Sequence, residues 1–154
     1  MFITTGIALL LGAQAPMQKI DYRVEIMDSR GVVMAPVVKV LDKQTGEIEI
    51  DSELDKAPRS IDVQITPTMD SSGEITTSLQ IRFMEFTKMS EPKESSERIM
   101  METYRSKPGQ AGYTLLHSAK QHGENAFRWV WDKPDHKLIR GEYLITITPT
   151  IETH

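Results

Sequence analysis

Apolar and polar side chains alternate one for one along most of this chain, and a period of two is what a half-buried β-strand requires. Ile20, Tyr22, Val24 and Ile26 alternate with Lys19, Asp21, Arg23 and Glu25. Ile61, Val63 and Ile65 alternate with Asp62, Gln64 and Thr66. Beyond the Asp70-Ser71-Ser72-Gly73 turn signal, Ile75, Thr77, Leu79, Ile81 and Phe83 hold one face and Glu74, Thr76, Ser78, Gln80 and Arg82 the other. Those two runs form the clearest hairpin in the sequence. No amphipathic helix longer than two turns competes with them. The pattern predicts an all-β, single-domain, β-sandwich-like fold of roughly nine or ten short antiparallel strands.

The punctuation between the runs sets the expected order. Asp28-Ser29-Arg30-Gly31 is a turn, and Val32 to Leu41 is a β-branched run that Pro36 confines to an edge or a bulge. Asp42 to Gly46 turns the chain again, so Glu47 to Leu54 is expected to pair back as a hairpin partner. Pro67 is expected to end regular pairing, and the parity change after Phe83 predicts a bulge near Met84. Lys88 to Ser96 reads as an exposed loop, Glu97 to Tyr104 as a strand or a short helix, and Ser106 to Gly112 as a loop. Strands are expected over Tyr113 to Ala119, through Phe127, Trp129 and Trp131, over Leu138 to Arg140, and over Glu142 to Ile151. Ile65-Thr66-Pro67-Thr68 recurs as Ile147-Thr148-Pro149-Thr150. Two copies do not make a repeat array, and both prolines are expected to stop a ladder.

Composition bounds the chemistry. The 154 residues suit one domain, and a chain of that length buries about 70% of its unfolded surface without a staple. It has no cysteine, which excludes disulfides, thiolate catalysis and cysteine-ligated zinc. A net charge of −4 argues against nucleic acid, whose phosphates need a basic field. No apolar run is long enough for a transmembrane helix. Residues 1–15 carry no charge, hold the apolar core Ile7 to Leu11, and end in Ala13-Gln14-Ala15, a small-x-small cleavage pattern. They read as a signal peptide, with an N-terminal strand as the alternative, which leaves residues 16–154 as the β-domain and places it in the periplasm or outside the cell.

Three groups of residues carry the site candidates. Glu47, Glu49, Asp51, Glu53 and Asp55 stand at every second position, so a continuous strand puts five carboxylates on one face. Same-face neighbours lie about 7 Å apart, too far for one strand to wrap a calcium ion. The face is therefore either a solvated edge that deters aggregation, paired with Lys or Arg on the next strand, or a surface for a basic protein partner. Phe127, Trp129 and Trp131 form an aromatic stripe, with Tyr113 and Tyr143 as neighbours. Such stripes are mostly core; the alternative is a surface for a carbohydrate, peptide or lipid. His117, His122, His136 and His154 show neither i, i+2 nor i, i+4 spacing. His122, Asp135 and His136 are the residues a small metal-dependent hydrolase would have to use. No G-x-S-x-G, H-E-x-x-H, P-loop or G-x-G-x-x-G occurs, so no enzyme activity, catalytic residue, metal or cofactor is expected.

In order along the chain, three segments resemble the β-domain of the secretins, the outer-membrane pore proteins of bacterial type II and type III secretion and type IV pilus systems. Ala35-Pro36-Val37-Val38-Lys39-Val40-Leu41-Asp42-Lys43-Gln44 through Ile48 is similar to a strand of the family. Ile61 to Ile81, with Pro67, Asp70 and Gly73, is similar to its central hairpin, and Arg140 to Ile151 to its closing strand. The resemblance spans about Met34 to Ile151 and lacks counterparts of the family's membrane-crossing hairpins and ring-forming N-terminal domains. It implies a non-enzymatic β-domain in the cell envelope that acts through protein–protein contact. A small-molecule or lipid-binding sandwich is the alternative.

Overall fold

The computed structural model describes residues 17–54, 57–88, 94–117, 127–135 and 137–152. Ten strands are present among them: β1 (Lys19–Asp28), β2 (Gly31–Met34), β3 (Val37–Leu41), β4 (Gly46–Leu54), β5 (Ala57–Met69), β6 (Ile75–Lys88), β7 (Glu94–Ser106), β8 (Gly112–His117), β9 (Phe127–Val130) and β10 (Glu142–Ile151). They form two antiparallel sheets. One runs β2-β1-β10-β8-β9, with β3 sharing the β1 flank, and the other runs β4-β5-β6-β7. The architecture is the all-β sandwich that the alternation predicts, but β5, β6 and β7 are 13, 14 and 13 residues long rather than short.

The inward positions are those the period of two assigns. Ile20, Tyr22, Val24 and Ile26 from β1 meet Ile61, Val63, Ile65, Ile75, Leu79, Ile81 and Phe83 from the β5–β6 hairpin, all buried in one core. Each fully buried side chain of this size contributes about 1.5–3 kcal/mol, so this single layer dominates the stability. Phe83 tilts against Tyr143 across the sheets with ring centres 5.8 Å apart. The β5–β6 turn is held by Asp70, whose Oδ1 accepts from the Ser72 and Glu74 backbone N–H groups at 2.9 and 3.1 Å, with Gly73 at φ 84°. The Ser72 hydroxyl, which also donates to Oδ1, and after it these backbone bonds hold the Asp70 carboxyl below the usual range.

The expected hairpin between Val32–Leu41 and Glu47–Leu54 does not form. β3 pairs with β1, whereas β4 pairs with β5 in the opposite sheet. The Asp42–Thr45 turn crosses between sheets because both hold it. Asp42 N–H donates to Gln18 O, Lys43 N–H donates to Pro67 O, and Asp42 Oδ1 accepts from Met69 N–H. β4 then starts against the face of β3, so close that a Cβ on Gly46 would lie 2.6 Å from Val40 Cγ2. Pro36 does sit at an interruption: β2 and β3 both pair with β1, and Pro36 O accepts from Val24 N–H between them.

Other boundaries move for physical reasons. The irregularity in β6 falls between Phe86 and Lys88, not near Met84, because Glu85 rather than Met84 takes the inward position. Pairing between β6 and β7 extends into the segment expected as a loop, down to Lys88 and Glu94, and Glu97 to Tyr104 is strand rather than helix. Leu138 to Arg140 is not a strand but a turn, closed by Glu142 N–H to Ile139 O and by Ile139 N–H to Glu142 Oε2, both 3.0 Å.

Neither proline of the Ile-Thr-Pro-Thr echo stops a ladder. Pro67 lies opposite Thr77 and Pro149 opposite Tyr22, and pairing continues past each to Met69 and Ile151. In an antiparallel strand a residue's N–H and C=O point to one flank. Pro67 O accepts from Lys43 N–H (2.8 Å) and Pro149 O from Gly109 N–H (2.7 Å), so each missing N–H falls on the flank away from the long ladder. Both donors have positive φ, 63° at Lys43 and 84° at Gly109. Two residues before each proline, Ile65 lies opposite Gly46 and Ile147 opposite Gly112. The correspondence extends to whole strands. β1, β3, β4 and β5 match β6, β7, β8 and β10, so the sheets read β3-β1-β10-β8 and β7-β6-β5-β4. Apart from β2 and β9, which join only the first sheet, the fold is two interleaved halves of the same topology, each giving two strands to each sheet.

Candidate functional site

β4 is an outer strand of its sheet, and its alternation places Glu47, Glu49 and Asp51 on the exposed face with Ile50 buried beneath. Glu53 belongs to the same strand, but its side chain, like Asp55 altogether, lies outside the described residues. The cations expected opposite are not there. The register sets Glu47 against Gln64, Glu49 against Asp62 and Asp51 against Ser60. Arg82 stands one strand further, opposite Asp62, and pairs with Glu97 at 3.1 Å. Asp62 is therefore a fourth carboxylate of this face, which the sequence pattern of β4 could not reveal. Partial burial raises its pKa, the nearby Glu47 and Glu49 carboxylates raise it further, and Arg82 only partly offsets them. The face offers concentrated negative charge at an edge whose outer flank is unpaired among the described residues.

The aromatic stripe divides into two environments. Trp129, on β9, is partly buried against the core, and a Cβ at Gly112 would fall within its indole, so only glycine fits there. Trp131 lies just past the strand and is 40% exposed. The ring that unites them is Tyr104 of β7, which the sequence pattern did not single out. It stacks on Trp129 at 4.3 Å between centres and meets Trp131 edge-on at 5.4 Å. Tyr143 is instead a core residue against Phe83, and Tyr113 faces outward on the other side of its sheet. The Phe127 side chain lies outside the described residues. Trp131 borders a hollow of about 510 Å³ with Leu115, Val130, Pro134 and the charged trio Asp132, Lys133 and Asp135.

The histidine grouping is not assembled by any described contact. His122, His136 and His154 lie outside the described residues, and His117 is described only as the last residue of β8. Among the described residues no three His, Asp or Glu side chains converge as a metal site would need. No described helix is long and apolar enough to cross a membrane.

No protein-family model and no curated protein sequence matches the chain. Among solved structures, it is similar to the Salmonella SPI-1 type III secretion injectisome secretin InvG (residues 176-end) in the open gate state. The TM-score is 0.51 at 10% sequence identity, covering 99% of this chain and 65% of that one. The InvG secretin domain β-barrel from the Salmonella SPI-1 injectisome NC-base gives a TM-score of 0.49 at 10% identity, over 98% of this chain and 68% of that one. The chain thus spans about two thirds of the length of these structures, and the likeness to the first is one of fold. It agrees with the resemblance carried by residues 34–151.

Proposed function

We propose that this chain is a non-enzymatic, exported secretin-like β-domain protein of the periplasm or cell envelope that acts through protein–protein contact. The reading rests on one observation, a secretin-like fold over 99% of the chain. The contact surface we assign is the acidic edge of Glu47, Glu49, Asp51 and Asp62, extended by Glu53 and Asp55 where the strand runs on. An unpaired sheet edge bearing like charges repels its own copies and attracts a basic partner, chiefly by steering the encounter. Cell fractionation with native mass measurement tests the placement. A periplasmic species with the mass of the chain from Pro16 onward, monomeric or dimeric, supports it; a full-length cytoplasmic protein overturns it, and a large detergent-requiring ring would replace the contact role with a pore. Capture of envelope proteins on the intact chain tests the surface: E49K with D51K should abolish binding, and unchanged binding would remove this face from consideration.

One observation favours a second reading, a small-molecule or lipid-binding sandwich: the exposed Trp131 beside its hollow. Tryptophan emission that shifts on adding a ligand would support it, and ligand-insensitive emission would leave the aromatics as packing.

A further inference from the structure

The turn between β1 and β2 faces the stretch around Lys133 and Lys137 across a hollow of about 340 Å³. Its floor is apolar, formed by Met27, Pro134, Leu138 and Leu144, the last 3% exposed. Its rim is cationic, carrying Arg30, Lys133 and Lys137. Arg30 is fixed there by Asp28, whose Oδ2 accepts from Nε and Nη2 at 3.2 and 2.8 Å while Oδ1 accepts from the Arg30 backbone N–H at 2.8 Å. The Asp28 side chain is only 4% exposed, yet the Arg30 side chain remains 66% exposed, so the guanidinium is held in one place and still faces solvent. A cation whose geometry is already set loses less entropy on binding an anion. Arg30, Lys133 and Lys137 thus bring one guanidinium and two ammonium groups to a single rim. Lys133 and Pro134 line both this hollow and the neighbouring one beside Trp131, whereas Asp132 and Asp135 line only the latter.

We propose that this hollow binds an organic phosphate, a phosphate monoester bearing a short apolar group. Such a group carries about −1.5 to −2 near neutral pH, and its three acceptor oxygens suit one guanidinium and two ammonium groups. The apolar substituent lies on Met27, Pro134, Leu138 and Leu144. A volume of about 340 Å³ has room for the phosphate and several methylenes. The site stands apart from the acidic edge and does not depend on the envelope reading.

Hexyl phosphate titrated into the full chain tests this, with calorimetry for affinity and the Gly31 amide resonance for location. The expected result is one saturable site, about tenfold tighter for hexyl phosphate than for inorganic phosphate, because only the former uses the floor. K133Q with K137Q, both exposed positions, should weaken binding about tenfold or more while the denaturation midpoint stays unchanged. L138S, at a half-buried position, should reduce hexyl phosphate to the level of inorganic phosphate. No saturable binding, equal affinity for the two phosphates, or indifference to the lysine variants overturns the proposal. Vesicles distinguish the source of the ligand: binding to phosphatidic acid but not phosphatidylcholine assigns a lipid headgroup, and binding to hexyl phosphate alone assigns a soluble phosphate. Equal binding to both vesicle types overturns the site.

Discussion

Tyr22 and Thr77 meet hydroxyl to hydroxyl at 2.7 Å across the interior of the sandwich, and each stands opposite a proline, Tyr22 facing Pro149 and Thr77 facing Pro67. Both residues are fully buried. They occupy corresponding places in β1 and β6, so the contact joins the two interleaved halves at their equivalent points. An apolar pair would pack here without any polar demand. The hydroxyl pair instead rewards one register, because a slip of two residues, which keeps the same face inward, would separate the two buried oxygens.

Removing one hydroxyl should therefore cost more than removing both. Y22F leaves the Thr77 hydroxyl buried without this partner and is expected to lower stability by about 1–3 kcal/mol. Adding T77V, which keeps the shape and removes the second oxygen, should recover part of that loss. Chemical denaturation of the four variants of the cycle measures the coupling; purely additive losses would mean that the hydrogen bond contributes nothing.

Alkaline pH attacks the same region. Burial pushes the Tyr22 phenol up to about 12, with the Thr77 hydrogen bond opposing, and burial together with the nearby Tyr22 raises Tyr104 as well. An unfolded tyrosine gives up its proton near pH 10. Between there and about pH 12 the folded chain binds more protons than the unfolded one, so stability is full below pH 10 and falls as pH rises through that window. Denaturation midpoints at pH 9 to 12 should show the decline, and Y22F should make it shallower. A flat profile would place the Tyr22 hydroxyl in contact with solvent.

The two proline-capping turns differ in how comfortably they hold their shape. Lys43 adopts φ 63°, a left-handed conformation that costs an L-residue about 1 kcal/mol or more, whereas Gly109 adopts φ 84° without penalty. K43G should therefore be neutral to stabilising by up to about 1 kcal/mol, and G109A destabilising by about 1 kcal/mol. Opposite signs at corresponding positions, read as denaturation midpoints, would confirm that both turns do the same job. A loss in K43G would show instead that the lysine side chain contributes to the fold.

What was legible in the sequence was which face of a regular strand turns inward. The inward faces of β1, β5 and β6 and the Asp70 turn follow from alternation and local hydrogen bonding. What depends on pairing between distant strands was not. Asp42 to Gly46 has the composition of a hairpin turn, and only its bonds to Gln18, Pro67 and Met69 make it a crossing between sheets. The Ile-Thr-Pro-Thr echo was visible, but its meaning lay in which flank each proline turns to a neighbour. Among the sites, the β4 carboxylates followed from their spacing. Tyr104 escaped because the parity of β7 is ambiguous until β6 fixes its register, and Asp62 because its partners belong to another strand.

Asp62 ties stability and binding together in opposite senses. Its carboxyl holds a proton more tightly in the folded chain than in the unfolded one, through partial burial and the Glu47 and Glu49 charges. Stability is therefore fullest below the ordinary aspartate range and declines as pH rises through the folded value, leaving a deficit at neutral pH. D62N should remove that deficit, stabilising the chain at pH 7 by about 0.2–1 kcal/mol, the scale of a cross-strand charge pair. The gain should shrink in high salt and vanish near pH 3, where both states of the parent are protonated. If the acidic edge is a binding face, the same substitution should weaken and slow the capture of a basic partner while the fold grows more stable. A variant that loses binding through damage to the fold cannot give that combination. Unchanged capture with the predicted gain in stability would mean that the partner reads β4 alone, and a loss of stability at pH 7 would mean that the Asp62–Arg82 attraction outweighs the repulsion from Glu47 and Glu49.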